Sequence, residues 1–244
     1  MKHSDKDNSI VRLQVYLSRN GVCSRREAMS VIKEGRVRVN GAVVTEPSTP
    51  VSPESDTIKV DGKVVQQKEY IYLLLNKAKG YVTTRSGAHR EKTVYDLVPK
   101  QYSHLVPVGR LDKETEGLLL LTNDGDTAYK LTHPKFDVDK TYFVRVQGEL
   151  DIRDKQRVMK GIYLEGKRTS PAVIKGVKAN KKFTDFYMII HEGRKRQIRM
   201  MMAKVGYKVI YLKRIAQGPL KLGDLKTGAF RLLNKKEKEA LERI

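Results

Sequence analysis

Apolar positions near the start of the chain follow a helical period. Over Val11–Ser18 they recur every three or four residues, which predicts a first helix. Ser24 and Glu27 have the spacing of a capping box, in which each side chain bonds the backbone N–H of the other. They predict a second helix that begins there and ends at Glu34. Alternating apolar and charged residues then predict two hairpins within residues 37–65.

From residue 70 onward the pattern changes to longer apolar runs. The run Tyr70–Leu75 lacks alternation, which is typical of a strand buried on both faces. Further strands are predicted at Val106–Val108, Leu118–Leu121, Thr141–Gln147, Val173–Val177 and Phe183–Ile190. Helices are predicted at Asp126–Leu131, Asp151–Lys160, Arg194–Val205 and Lys235–Ile244. Strand-rich segments with isolated helices, without strict strand–helix alternation, indicate an α+β fold with a mixed, mostly antiparallel sheet.

These patterns divide the chain into three parts. Residues 1–9 are polar and are expected to be disordered. Residues 10–66 are expected to form a small basic domain. Residues 70–244 are expected to form the larger domain, after a short polar linker that begins at Gln66.

The net charge of the chain limits the classes of partner that it is expected to bind. Its 49 Lys and Arg against 28 Asp and Glu give a formal net charge of +21. Such an excess attracts polyanions, and nucleic acid is the usual partner, although solubility alone or anionic lipid would also account for it. The sequence contains no run of eighteen apolar residues, no signal-peptide segment and one cysteine, Cys23. We therefore expect a cytoplasmic protein that makes no contact with membranes.

One carboxylate has a setting that points to chemistry. Asp112 lies between Arg110 and Lys113, shortly before the apolar run Leu118–Leu121. Nearby cations favour an ionised Asp, and such a group beside a buried strand can act as a nucleophile or a base. The sequence has no Gly-rich or Walker-type phosphate loop, no zinc-ligand spacing and no nucleophile-elbow Ser. We therefore expect neither a metal nor an organic cofactor.

Few reactions on RNA can proceed with one carboxylate as the catalytic group and without a metal or a cofactor. Hydrolysis of phosphodiesters normally needs a metal-binding carboxylate cluster or a pair of His, and methyl transfer needs a cofactor loop. Isomerisation of uridine needs neither, because the glycosidic bond breaks, the uracil turns and the same two parts rejoin through carbon. An ionised Asp could attack the sugar or the ring, or remove a proton.

Basic residues of the small domain form a recognisable arrangement. The segments Gly21–Ala28 and Gly35–Gly41 together resemble the S4-like RNA-binding domain first known from a ribosomal protein. The resemblance implies contacts with structured RNA through its shape and phosphates. The residues expected to make these contacts are Arg25, Arg26, Lys33, Arg36 and Arg38. The plainer alternative is a solvated charged face, because Glu27 and Glu34 are interleaved with them.

The larger domain resembles one family in four separated motifs. They are Tyr72–Thr84, Val108–Asp126, Leu131–Val144 and Glu192–Leu233. These match, in order, the motifs of the bacterial ribosomal small- and large-subunit pseudouridine synthases of the RsuA and RluB type. With the S4-like domain the resemblance covers nearly the whole chain, and it implies a pseudouridine synthase catalytic domain. Ala78 departs from the family, which usually has Pro there.

The resemblance implies roles for five residues. Asp112 would be the catalytic aspartate, and Tyr142 would stack on the uracil after the nucleotide flips out of the RNA. Arg199 would pair with Asp112 and hold it ionised, and Leu212 would pack the pocket wall. Arg110 could fill the space that the flipped base leaves, or contact phosphate. The plainer alternatives are core packing for Tyr142, surface charge for Arg199 and a structural turn for Asp112.

The sequence thus predicts site-specific isomerisation of uridine to pseudouridine in ribosomal RNA. The large subunit is favoured over the small one by resemblance alone. The expected partner is ribosomal RNA or a ribosomal subunit precursor, and the protein is expected to be a monomer. The alternative from another class is a non-catalytic RNA-binding factor of ribosome assembly that keeps the fold. An RNA methyltransferase would need a cofactor site, and the sequence shows none.

Overall fold

The computed structural model describes residues 10–85 and 91–244. The chain forms two compact units, of which the first ends at Tyr70 and the second covers Ile71–Ile244. The segment 1–9, predicted to be disordered, lies outside the described residues, and the domain limits 10–66 and 70–244 stay predictions. Within the described ranges, no helix combines the length and the apolar character that crossing a bilayer requires.

The first unit combines two helices with short strands. Its strands are β1 (Val11–Arg12), β2 (Val37–Val39), β3 (Ala42–Val44), β4 (Pro50–Val51), β5 (Ile58–Val60) and β6 (Lys63–Val64). Its helices are α1 (Leu13–Arg19) and α2 (Arg25–Lys33). An antiparallel sheet follows the order β3-β2-β5-β6, and β1 pairs with β4. A core cluster packs Leu17 of α1 and Ile32 of α2 with Ile58 of the sheet.

Local sequence signals correctly predicted the start of α2 but not the start of α1. The Glu27 N–H donates to Ser24 Oγ and the Ser24 N–H donates to a Glu27 carboxylate oxygen, so the predicted capping box is confirmed. The predicted start of the first helix is wrong, because Val11–Arg12 is extended and pairs with Pro50–Val51. Val11 packs against the same core from an extended backbone, so apolar spacing alone did not mark where the helix begins.

The second unit contains the remaining strands and helices. Its strands are β7 (Tyr72–Lys77), β8 (Val106–Pro107), β9 (Glu116–Thr122), β10 (Lys140–Gln147), β11 (Tyr163–Leu164), β12 (Lys167–Arg168), β13 (Val173–Ala179), β14 (Phe183–Ile190), β15 (Val209–Gln217), β16 (Leu220–Lys221) and β17 (Phe230–Leu232). Its α-helices are α3 (Gly125–Thr132), α4 (Ile152–Lys160), α5 (Gln197–Lys204) and α6 (Lys235–Glu242). Short 3-10 helices occur at Val94–Leu97, Lys100–Tyr102 and Pro134–Phe136.

One sheet organises this unit. Its main path is β13-β14-β10-β15-β9-β7-β17, with β8 added to β9 and β16 added to β15. β15 and β9 run parallel, and the other neighbouring strands of the sheet are antiparallel. The predicted α+β fold with a mixed, mostly antiparallel sheet is therefore confirmed.

Two apolar clusters of different size pack against this sheet. In β9, Leu119 and Leu121 join the larger cluster, while Leu118 and Leu120 join the smaller one. A strand buried on both faces needs a continuous apolar run, whereas a strand buried on one face alternates. β9 accordingly contains the unbroken leucine run Leu118–Leu121, whereas β10 alternates between buried and half-exposed positions.

β15 was not predicted from the sequence, although this strand lies near the middle of the sheet and carries Leu212. The pairing register with β10 shifts at Ile210, which adds one residue and interrupts the alternation. Arg214 and Gln217 are also buried, so polar side chains occupy positions that the apolar pattern reserves for core residues. Both features conceal a strand from an analysis based on periodicity.

Gly117 determines how closely β9 and β15 approach each other. Its φ is +109°, and a Cβ at this position would collide with the backbone carbonyl of Arg214. Gly117 and Arg214 are also direct partners in the parallel pairing of the two strands. Only glycine permits this approach, which brings the loop before β9 next to the strand that carries Leu212.

Candidate active site

A cavity of about 790 Å³ lies in the second unit. It is enclosed by the loop that precedes β9, by β10 and β15, and by the segment that leads into α5. Its volume falls within the roughly 300–1,000 Å³ of small-molecule sites. Four residues that the sequence analysis singled out line this cavity: Arg110, Asp112, Tyr142 and Leu212.

Tyr142 and Leu212 belong to the apolar part of the cavity wall, together with Leu111, Ile190 and Ile198. Tyr142 and Leu212 are 9% and 5% exposed, respectively. Each occupies a core-facing position of its strand, and strand alternation therefore directs both to the same side of the sheet. An aromatic ring next to an aliphatic side chain provides a surface on which a planar base can stack.

The loop that carries Asp112 is held by its backbone carbonyls. All five carbonyls of residues 111–115 accept a hydrogen bond from outside the loop. The donors are the Thr83 hydroxyl, the Lys77 ammonium, the Gly80 N–H and the Arg199 guanidinium. A main chain held at consecutive carbonyls has little freedom to shift, and so the loop gives the Asp112 side chain a fixed origin.

Lys77 supplies more of these bonds than any other donor just named. Its side chain is fully buried at the end of β7, and its ammonium donates to the carbonyls of Asp112 at 3.1 Å and of Thr115 at 2.8 Å. Burial lowers the pKa of Lys77 to about 8, against the opposing attraction of nearby carboxylates, first among them Asp112. No role was predicted for Lys77, because a lysine after an apolar run resembles the solvent-exposed end of a strand.

Arg199 does not form the predicted ion pair with Asp112. Its guanidinium instead donates to the carbonyls of Glu114 at 2.8 Å and of Val209 at 3.0 Å. Backbone carbonyls therefore take the donors that the prediction reserved for the carboxylate. Burial and the neighbouring Arg196 lower the pKa of Arg199, while the charge of Asp112 raises it. Arg199 thus ties the loop to the start of β15 and acts on Asp112 through space.

Five buried polar side chains among the described residues of the cavity wall were not predicted: Thr115, Lys140, Gln197, Arg214 and Gln217. Lys140, Arg214 and Gln217 are exposed by 7%, 2% and 1%. Lys140 donates to two backbone carbonyls, and Arg214 Nε donates to the Leu118 carbonyl at 2.8 Å. Arg214 Nη2 and Gln217 Oε1 are buried without a partner among the described residues. An unpaired buried polar atom is costly, so a ligand that offers the complementary atoms would bind there favourably.

The cavity surrounds one carboxylate with cations. The basic residues of its lining are Arg110, Lys140, Arg194, Lys195, Arg196 and Arg214. Of the described lining residues, Asp112 is the one that carries a carboxylate. Asp112 is half-buried, and no described residue donates a hydrogen bond to its carboxylate, whose oxygens are therefore available to a substrate. Within residues 10–85 and 91–244 there is no group of three His, Cys, Asp or Glu that could hold a metal ion.

The basic residues predicted to bind RNA in the first unit fall into two groups. Three are exposed on α2, and no ion pair involves them in the described part of the chain: Arg25, Arg26 and Lys33. Arg36 instead binds Asp61 through two hydrogen bonds of 2.9 and 2.6 Å and Glu34 through one of 3.2 Å. These contacts raise the pKa of Arg36 and offset its charge, while Arg38 donates to the Gly41 carbonyl.

Two parts of the chain match described families. Residues 71–204 match the family described as RNA pseudouridylate synthase, and residues 11–58 match the S4 domain. The chain is 43% identical over 229 residues to an uncharacterized RNA pseudouridine synthase of Aquifex aeolicus (strain VF5), covering 93% of this chain and 92% of that protein. It is 42% identical over 235 residues to the ribosomal large subunit pseudouridine synthase B of Bacillus subtilis (strain 168), covering 96% of each.

A solved structure extends the similarity to three dimensions. The crystal structure of a pseudouridylate synthase matches with a TM-score of 0.68 and 30% sequence identity. The match covers 95% of this chain and 99% of that one, so both compact units take part in it.

Proposed function

The chain belongs to the RNA pseudouridylate synthase family, with an S4 domain at its N-terminus, and we propose that it converts a specific uridine of ribosomal RNA to pseudouridine. The family, the S4 domain and the enzyme class were predicted from the sequence, and all three are confirmed. The proposal adds the RNA substrate, the catalytic residue and the flipping of the base.

The observation that carries the proposal is the carboxylate of Asp112 in a cation-lined cavity. The isomerisation breaks the N1–C1′ bond and forms a C5–C1′ bond. A proton leaves C5 and N1 gains one, so the composition of the nucleotide is unchanged. One carboxylate can serve this sequence, either as a nucleophile toward the sugar or the ring or as the base that removes the C5 proton. We assign that carboxylate to Asp112, and the surrounding cations would stabilise negative charge that develops on the uracil.

Base flipping follows from where the reacting bond lies. A stacked uridine hides its glycosidic bond, and extruding the nucleotide costs a few kcal/mol. Stacking on Tyr142 would offset part of this cost, since an aromatic platform contributes about 1–3 kcal/mol per base. Uracil presents carbonyl oxygens and an N–H, which complement the unpaired donor of Arg214 and the unpaired acceptor of Gln217. Arg110 is exposed at the cavity, where it could contact a phosphate or fill the vacated stack.

Ribosomal RNA of the large subunit is the proposed substrate. The support is the similarity to the large-subunit synthase of Bacillus subtilis over 96% of this chain. The net charge of +21 and the S4 domain are consistent with a structured RNA partner. We further propose that the enzyme acts as a monomer in the cytoplasm. Parallel reactions with small- and large-subunit ribosomal RNA fragments test the substrate, and modification confined to the small-subunit fragments would contradict it.

The catalytic assignment is tested with Asp112→Asn. The purified variant and the wild type are incubated with the modified RNA fragment, and pseudouridine is mapped by chemical labelling. We expect no detectable pseudouridine with the variant and unchanged RNA affinity, because the substitution keeps the shape of the side chain and removes the charge.

Glu114→Gln is the matched control in the same loop. Glu114 is exposed and pairs with Lys79 at 3.0 Å, so its loss should leave turnover near the wild-type level. Normal turnover by Asp112→Asn would refute the assignment. Tight binding without modification by any form would favour a non-catalytic RNA-binding factor.

A further inference from the structure

The sheet of the second unit has one face that the catalytic cavity does not use. Over β13, β14, β10 and β15, one face packs on the larger apolar cluster, and the other is half-exposed or exposed. We call the latter the open face. Its central residues are Phe143, Arg145, Lys175, Tyr187, Tyr211 and Lys213. Tyr142 and Leu212 point to the opposite side, so the open face is separate from the proposed active site.

Strand pairing places four residues of the open face in one row. Lys175 pairs with Tyr187, Tyr187 with Phe143, and Phe143 with Lys213. Neighbouring strands lie about 4.8 Å apart, so the row spans roughly 14 Å. Two aromatic residues on β14 and β10 thus lie between a lysine on β13 and a lysine on β15.

The aromatic side chains form a continuous strip. The Phe143 ring contacts the rings of Tyr187 and Tyr211 at centroid distances of 5.8 and 5.9 Å. Tyr187 is 39% exposed, which leaves part of its ring accessible to solvent. Gly176 on the adjacent strand makes room for this ring, because a Cβ there would come within 3.0 Å of it.

The charge of the open face is positive along the aromatic row. In the next row, Arg145 is neutralised by Asp185 at 2.7 Å. Glu116 of β9 is the register partner of Lys213 and accepts a hydrogen bond from the Tyr211 hydroxyl at 3.0 Å, so the aromatic row holds two cations and one carboxylate. The lysines of the aromatic row make no ion pair within the described residues. The row therefore has the two features of a single-strand binding surface, an aromatic platform and flanking cations.

We propose that the open face binds a single-stranded segment of RNA, with a base on Tyr187 and Phe143 and phosphates near Lys175 and Lys213. Aromatic rings on neighbouring strands of an open sheet face are a general solution for binding unstacked bases. The positive row favours a polyanion over a second copy of this basic chain. The inference concerns a surface outside the catalytic cavity and goes beyond the proposed function.

Cross-strand stabilisation is the competing explanation for these side chains. Aromatic pairs on one face of a sheet contribute to folding without any ligand. The two explanations differ in their consequences: stabilisation predicts a change in unfolding and no change in RNA affinity, whereas binding predicts a loss of affinity when the ring is removed.

The test measures binding of a fluorescent ten-residue oligoadenylate to the full-length protein by anisotropy at several salt concentrations. Oligoadenylate contains no uridine, so it probes stacking and phosphate contacts apart from isomerisation. Tyr187→Ala should weaken binding about 5- to 30-fold without changing the salt dependence. Lys175→Gln should make the slope of log affinity against log salt shallower by about 0.7, the value for one phosphate contact on a single strand.

Matched controls separate this surface from general effects. Tyr163→Ala removes a tyrosine that is 67% exposed on β11, and Lys235→Gln removes a lysine whose side chain is 92% exposed on α6. Both should bind as the wild type does. Tyr187→Phe keeps the ring and should retain affinity, which guards against loss of folding in the alanine variant.

Two outcomes would overturn the inference: wild-type affinity in Tyr187→Ala, or equal losses in Tyr187→Ala and Tyr163→Ala. Pseudouridine formation on a short ribosomal RNA hairpin is measured in the same preparations. Failure of the wild type to modify ribosomal RNA would refute the proposed function, while the oligoadenylate result would still decide the open face.

Discussion

The loop that carries Asp112 and helix α2 of the S4 domain both contain several charged residues. The loop is fixed by buried hydrogen bonds, whereas the charged side chains of the helix are exposed. The loop is held at five consecutive carbonyls, largely by the buried ammonium of Lys77. Arg25 and Arg26 on α2 are exposed, and no ion pair involves them in the described part of the chain. The loop thus has a fixed geometry, whereas the helix presents exposed arginines that no ion pair within the described residues holds in place.

This contrast separates positioning from attraction. Positioning depends on a few buried contacts, so a single substitution in them should have a large effect that salt hardly alters. Attraction is a sum over exposed cations, so each contributes little, the contributions add, and salt screens them.

Replacing Lys77 by Met should damage both stability and turnover. The substitution keeps the apolar stem but removes the ammonium donor of the Thr115 carbonyl and leaves the Asp112 carbonyl with the Thr115 N–H as its one described donor. We expect the free energy of unfolding to fall by about 3 kcal/mol or more, because loss of one partner exposes the full desolvation cost of the other. Denaturant titration measures this change, and single-turnover assays in the folded fraction measure catalysis.

Lys79→Met is the control for this substitution. Lys79 lies in the same segment, but its side chain is 58% exposed, and its pair with Glu114 lies at the surface. Its loss should change stability by less than about 1 kcal/mol. Equal effects of the two variants would mean that the loop does not depend on the buried cation.

The protonation of Lys77 gives a second test through pH. Its folded-state pKa of about 8 lies below the ordinary value of 10.5, so the unfolded chain binds more protons between these values. The contribution of Lys77 to stability should therefore rise from pH 8 to about 10.5, by up to roughly 3 kcal/mol, and stay constant below pH 8. The difference in unfolding free energy between wild type and Lys77→Met, followed across this window, isolates the effect from other titrating groups. A difference that stays constant between pH 8 and 10.5 would contradict the lowered pKa of Lys77 in the folded state.

Arg214→Met extends the comparison to the cavity wall. Its Nη2 has no described partner and is available to a substrate, whereas its Nε donates to the Leu118 carbonyl, so kcat/KM is compared in the folded fraction and stability is measured alongside. Removing one hydrogen bond from a charged donor should lower kcat/KM about 10- to 100-fold at unchanged RNA affinity. Arg231 lies on β17, outside the cavity lining, and is paired with Glu237 of α6. Arg231→Met should therefore leave kcat/KM near the wild-type value. Equal kcat/KM in the two variants would remove Arg214 from substrate binding.

The contrast also explains what could be predicted from the sequence. Asp112, Tyr142 and Leu212 were found through their motifs, and all three line one cavity. The strands buried on both faces were found because they need unbroken apolar runs. Lys77 and Arg214 were not found, because a buried cation that bonds backbone carbonyls leaves no partner residue for a sequence pattern to show.

The same reasoning accounts for the wrong or missing elements. β15 escaped prediction because Ile210 interrupts its alternation and polar residues occupy its buried positions. The pairing of Arg199 with Asp112 was expected from the family resemblance. Backbone carbonyls took its donors instead, and backbone acceptors are present at every position and therefore invisible in a sequence.

The smallest expected effects belong to the basic residues of the S4 domain, where the comparison can be made within one surface. Arg25→Gln and Arg26→Gln should each weaken RNA binding a few-fold, and together they should make the salt dependence shallower by about 1.4 to 1.8. Arg36→Gln should change this slope much less, because Asp61 and Glu34 already offset the charge of Arg36. Binding of the ribosomal RNA fragment to the four variant proteins at several salt concentrations measures the slopes. If Arg36→Gln lowers the slope as much as Arg25→Gln does, then RNA displaces the carboxylates, and paired and unpaired arginines of this domain act as one surface.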